Sequence, residues 1–177
     1  FTGGTDKESV DGKLIRVEPD GSHVMIDVGR EDWVGMGMVF EVYDRADPET
    51  RNLKGSVQVR RLMDTIAQCK VLEQDKMDPV LPGMFILNPA FKRGRTVEFV
   101  IIGRTLEPNL KRLLQRYPCR LKEHVSNTTD YVIRGEAPRK KDDIEWDDEP
   151  EGDRANQLEI TVMKETDLLR YLGEERD

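Results

Sequence analysis

At 177 residues, with 37% hydrophobic and 36% charged side chains, the chain holds material for one large or two small cores of modest size. Its net charge of −7 argues for a soluble protein and against a generally basic nucleic-acid binder, and no window approaches the roughly twenty apolar residues of a membrane-spanning helix. The two cysteines, Cys69 and Cys119, lie far apart in apolar stretches. Buried free thiols are expected rather than a disulfide, which favours a reducing, cytoplasmic setting.

Residues 1–11 are small and polar and read as a tail or the end of a linker; because the chain begins at Phe1, the expectation is that a longer protein precedes it. A small all-β domain is expected over 12–89. Leu14, Ile15 and Val17 lead to the turn Pro19-Asp20-Gly21, after which Val24, Ile26 and Val28 alternate with His23, Met25 and Asp27. A third strand runs Met38 to Tyr43, followed by a polar loop over 44–52. Gly55–Leu62 and Thr65–Leu72 alternate again, and a last short strand covers Met84–Leu87. Val34-Gly35-Met36-Gly37-Met38-Val39 and Val80-Leu81-Pro82-Gly83-Met84-Phe85 share one pattern, in which each central glycine is expected in a turn of positive φ or close backbone approach. Six short strands with such a repeat predict a closed or half-closed barrel.

In Ile26-Asp27-Val28-Gly29 and Val34-Gly35-Met36-Gly37-Met38-Val39-Phe40-Glu41-Val42-Tyr43, residues 12–89 resemble the C-terminal barrel-like domain of the bacterial flagellar assembly protein T. Where that family has Gly-Asp in the second turn, this chain has Gly83-Met84. The resemblance implies a role in assembly or scaffolding.

Asn88–Arg95 (NPAFKRGR) mixes the breakers Pro89 and Gly94 with Lys92, Arg93 and Arg95, so 90–96 reads as a short linker. A second domain is expected over 97–177, with an acidic insert at 136–153. Val97, Phe99, Val100, Ile101 and Ile102 form a buried strand ended by Gly103; Leu110, Leu113, Leu114 and Tyr117 form one stripe of a helix stopped by Pro118. Strands follow at Cys119–Val125, Tyr131–Ile133 and Ile160–Met163, and a last helix at Thr166–Leu172 carries a stripe of Leu168, Leu169 and Leu172. Asp142–Asp153 holds eight carboxylates in twelve residues without helix or strand period and reads as an extended loop, with Trp146 as an anchor at most.

This order of elements, with Thr129-Asp130-Tyr131-Val132-Ile133, the stretch Arg154–Met163 and Lys164–Gly173, resembles a BRCT domain of the bacterial, DNA-ligase-associated sort. The resemblance implies a parallel α/β sheet flanked by helices. The family's Gly-Gly after the first helix is Tyr117-Pro118 here, its Gly before the last strand is Glu159, and its last-helix aromatic is Leu168. It also implies phosphopeptide binding, which the residues do not support: the Ser or Thr expected before the first Gly is Ile102, and the position of the pocket Lys is Glu151.

Charge in the second domain is uneven. Nine Lys or Arg between 92 and 122 face only Glu98 and Glu107. The candidate contact set for a partner or a nucleic-acid backbone is Arg104, Lys111, Arg112, Arg116 and Arg120. Aromatic side chains that stack on bases are not interleaved with it, so an ordinary solvated helix face is the simpler reading. With His23 and His124 far apart, no Cys-x-x-Cys, no Gly-x-Ser-x-Gly and no phosphate loop, neither a metal, a cofactor nor catalysis is expected. The expectation is a protein-interaction or self-association module of a larger bacterial protein, with DNA-backbone binding as the alternative.

Overall fold

The computed structural model describes residues 9–138, 140–141 and 149–174. Residue 146, most of the acidic stretch over 142–153 and the first eight residues of the expected tail lie outside that set. The chain divides into two units, one running to Arg95 and resuming at Tyr171, the other spanning Thr96–Arg170.

The first unit is a closed antiparallel barrel of β1 (Gly12–Val17), β2 (His23–Ile26), β3 (Val39–Tyr43), β4 (Leu53–Leu62), β5 (Ala67–Gln74) and β6 (Phe85–Leu87), in the order β1-β2-β5-β4-β3-β6. β6 closes it by pairing with both β1 and β3. Alternation sends Leu14, Val24, Ile26, Phe40, Val42, Val57, Val59, Ala67, Cys69 and Ile86 inward, where all are buried. Two bulges, between Ser56 and Val57 and between Val59 and Arg61, let the ten-residue β4 bend around this core.

The repeated turn is reproduced down to its atoms. Gly37 and Gly83 take φ of +83° and +87°. The amide of Gly35 donates to Met38 Sδ at 3.1 Å, and that of Leu81 to Met84 Sδ at 3.3 Å. The strands that follow, β3 and β6, pair with each other.

Ala90, Phe91 and Lys92, expected in a linker, are buried in the first unit. Phe91 meets Phe40 edge to face at 5.6 Å. Lys92 Nζ reaches Asp11 Oδ1 at 3.4 Å and the Ser9 carbonyl at 3.3 Å, so its charge is compensated where it is desolvated. Buried Asn88 is a junction: its Nδ2 donates to the carbonyls of Val39 and Tyr171, its Oδ1 accepts from the Ala90 amide, and its own amide donates to Asp11. Tyr171 further donates its hydroxyl to Glu41 at 2.6 Å, while Tyr43 donates to the other oxygen of the same carboxylate. Residues 171–174, expected to finish the second domain, therefore complete the barrel.

The second unit is a four-stranded parallel sheet of β7 (Val97–Ile102), β8 (Cys119–Lys122), β9 (Tyr131–Arg134) and β10 (Thr161–Lys164), in the order β10-β9-β7-β8. It is flanked by α1 (Leu110–Leu114), α2 (Pro150–Gln157) and α3 (Glu165–Tyr171). Val100, Ile102, Val125, Val132 and Ala155 of α2 form one cluster, with Ile160 packed against it. The Phe99 and Tyr131 rings pack at a tilt of 32°, their centroids 6.0 Å apart.

Besides β8, which ends at Lys122 rather than Val125, two elements differ from expectation. α1 is shorter than its apolar stripe: after Leu114 the chain tightens into i to i−3 bonds from Arg116 and Tyr117. Residues 150–153, expected in the acidic insert, are the first turn of α2. Pro150 sits where a missing N–H costs nothing, and Glu151 and Asp153 lie at the positive end of the helix.

Candidate functional site

Amphipathic spacing fixes the faces of α1. Leu110 and Leu114 are buried, so Lys111 and Arg112 stand on its exposed side, with exposed Arg116 one turn on. Arg120 does not join them. Cys119 Sγ reaches back to the Leu114 carbonyl at 3.3 Å, so by strand alternation the next side chain leaves the opposite face of the sheet. There Arg120 and Lys122 lie 4.0 and 3.8 Å from Glu98 Oε1, and Glu98 Oε2 is buried without a hydrogen-bond partner. Arg104 is elsewhere again, its guanidinium donating to the Pro138 carbonyl at 2.9 Å. Of the five residues singled out by charge, Lys111 and Arg112 stand on α1, Arg116 lies in the turn just beyond its end, and Arg104 and Arg120 are elsewhere.

The positions where the BRCT resemblance implies a phosphate pocket carry other chemistry. Ile102 is buried in the α2 cluster. Glu151 accepts from the Val125 amide at 2.6 Å and sits 2.9 Å from His124 Nδ1; the Val125 amide, then His124 and Arg154, hold its carboxyl below the usual value.

A second cluster lies at the β1–β2 turn, along a surface depression lined by Glu18, Pro19, Asp20, Ser22, His23 and Gln68. It places Asp, Ser and His side by side, but in the wrong order for nucleophile activation. Ser22 donates its amide and its hydroxyl to Asp20 Oδ1, and both hold that carboxyl below the usual value. The hydroxyl proton is thus committed to Asp20, and His23 Nδ1, 2.8 Å from Ser22 Oγ, has to be the donor. A nitrogen that carries its proton toward the serine is not a base for it.

The chain matches no protein-family model and no curated protein.

Among the described residues no group of three or more His, Cys, Asp or Glu side chains is placed to hold a metal ion. Burial pushes the Cys69 thiol up to about 12 and the Cys119 thiol to about 11. No helix among the described residues is long and apolar enough to cross a membrane.

Sequence reasoning passed over Trp33. The 3₁₀ turn Arg30–Asp32 ends on it, and its backbone takes φ +69°, ψ +30°, a left-handed conformation that costs a bulky residue energy. Its side chain is 62% exposed, and Met36 three residues later is 53% exposed. The turn itself is well held: Asp32 accepts from the Gly29 amide at 3.0 Å and from Arg93 Nε at 3.0 Å, and Arg30 pairs with Asp64 at 2.9 Å. An unusual aromatic and methionine pair inside a glycine-rich turn was the signal available beforehand, but it reads equally well as core.

Proposed function

We propose that this chain is a non-catalytic protein-interaction or assembly module of a larger bacterial protein, combining an assembly-type barrel with a degenerate BRCT-like domain in a cytoplasmic setting. The observation that carries the reading is Trp33. A large aromatic held outward in a strained backbone by a braced turn, with an exposed methionine beside it, is the side-chain chemistry of an interface anchor. The BRCT-like part is supported by the order strand, helix, strand, strand, helix, strand, helix in a parallel sheet. It is supported further by Glu159, which takes φ +55° at the position where that family has glycine. Ile102 and Glu151 favour a partner other than a phosphopeptide.

The test is site-specific photo-crosslinking in the full-length protein in its own cells, with the reactive side chain at position 33 and, as control, at Leu53, which is 59% exposed on β4. A discrete protein adduct from position 33 and none from 53 is expected. Adducts from neither overturn the reading.

The exposed trio Lys111, Arg112 and Arg116 favours a second reading, in which the outer face of α1 and the turn that follows it meet a nucleic-acid backbone. Fluorescence anisotropy of labelled duplex and nicked DNA over a salt series, beside the Lys111/Arg112/Arg116→Glu variant, decides it. Binding that falls steeply with salt and vanishes in the variant establishes that reading. Absence of binding at low salt removes it.

A further inference from the structure

Glu165 opens α3 and is fully buried. Its carboxylate turns away from its own helix. Oε1 accepts from the amides of Leu106 at 2.7 Å and Glu136 at 3.2 Å, and Oε2 from the amide of Glu107 at 2.9 Å. A helix-capping side chain bonds amides two or three residues ahead, whereas these donors lie 59, 29 and 58 residues away in sequence.

The donors follow the carboxyl ends of β7 and β9, the central pair of the sheet. From β7 the chain moves to β8 on one side and then returns to β9 on the other, so the direction of winding reverses between them. Open parallel sheets take up ligands at this reversal, outside the strand ends. The backbone there is drawn tight. The Gly135 amide donates to the Ile102 carbonyl at 2.8 Å and the Ala137 amide to the Arg104 carbonyl at 3.0 Å, while a Cβ on Gly135 would overlap the Arg104 carbonyl. The lock is reciprocal: Glu136, whose amide serves Glu165, accepts the Thr166 amide at 2.9 Å and hydroxyl at 2.7 Å with its own carboxylate.

Backbone N–H groups that converge without a side-chain cation are the makings of an anion site. We propose that the amides of Leu106, Glu107 and Glu136 form an oxyanion-binding site at the sheet's winding reversal, and that its resident ligand is the chain's own Glu165 carboxylate. The crevice that related architectures leave open to small anionic ligands is closed here from within. The site accepts a carboxylate or an oxyanion of similar size, and an external one enters only when Glu165 is removed. This goes beyond the interaction reading and stands or falls independently of it.

Thermal unfolding of Glu165→Ala in chloride buffer, titrated with sodium formate at constant ionic strength, tests the proposal. Truncation leaves three amides without an acceptor, so Tm drops; formate raises it again along a saturating curve, while wild type and Glu165→Gln, whose side chain fills the site, do not respond. Formate that leaves Glu165→Ala unchanged, or that raises all three proteins alike, overturns the assignment. If Glu165→Ala does not fold in chloride, refolding from urea is compared in formate and in chloride: native near-ultraviolet dichroism recovered only in formate supports the site, and equal recovery in both overturns it.

Discussion

The amide of Ile160 donates to the carbonyl of Ala155 at 2.9 Å, closing the end of α2 by a bond that spans five residues. With the Glu159 amide bonded to the Asn156 carbonyl at 3.2 Å, this is a Schellman cap, and it requires a left-handed residue at 159. Glu159 supplies it at φ +55°. A glycine takes that conformation without a Cβ penalty, so Glu159→Gly is expected to stabilise the second unit by roughly 0.5–1 kcal/mol. Urea unfolding of the two proteins, compared at equal m, checks it.

Phe91 separates a linker from a core. A linker side chain replaced by alanine changes stability by no more than about 0.5 kcal/mol. Phe91, 2% exposed and set against Phe40, is expected to cost about 3–5 kcal/mol as Phe91→Ala. Loss of the barrel's cooperative transition on denaturant titration, with the second unit's transition retained, is the expected outcome.

That residue also shows where sequence reasoning stopped. The barrel strands were legible because each alternates with period two, and the turns at Gly37 and Gly83 because glycine in a repeated phrase signals positive φ. Phe91 was not legible: it sits among Pro89, Lys92, Arg93 and Gly94, whose composition signals a boundary, while the partner that buries it, Phe40, is fifty-one residues away. Lys92 was misread for the same reason, since only tertiary structure brings Asp11 to it. The first turn of α2 was hidden by acidic residues that look solvated in a list and act as dipole partners in a helix. The basic set was half legible. Spacing predicts Lys111, Arg112 and Arg116 on one helix face, whereas α1 ends at Leu114 and leaves Arg116 in the turn beyond it, and only the direction of Cys119 shows that Arg120 points the other way.

The acid limb of stability is expected to run through Glu151 and Glu136. The Val125 amide lowers the first, and the Thr166 hydroxyl and amide lower the second, below the ordinary 4.5. Between the folded and unfolded values the unfolded chain binds more protons, so these contacts stabilise fully above about pH 4.5 and their contribution is lost as pH falls through the depressed folded values. Urea midpoints from pH 6 to 3 are expected to fall less steeply for Glu151→Gln, which does not titrate, than for wild type. Parallel curves would show that Glu151 is not part of the acid response.

Both thiols are expected to resist modification in the folded protein. With Cys119 pushed up to about 11, about one group in a thousand is thiolate at pH 8, and Cys69 at about 12 is lower still. Ellman's reagent is expected to release its chromophore slowly from native protein and at once, in two equivalents, after denaturation. A fast equivalent from native protein, lost in Cys119→Ser, would contradict the shielding of the half-buried Cys119 thiol.

The return of Tyr171 to Asn88 and Glu41 sets an order of events during synthesis. A ribosome releases β1 to β6 first, yet the residues that finish their barrel are made after the whole of 96–170. The parallel sheet has all its strands outside the exit tunnel before the barrel has its last piece, reversing the usual precedence of the N-terminal domain in vectorial folding. Until that moment Asn88 Nδ2 lacks the Tyr171 carbonyl and Glu41 holds only the Tyr43 hydroxyl, so a nascent chain stalled before residue 171 carries a barrel that is two tertiary hydrogen bonds short.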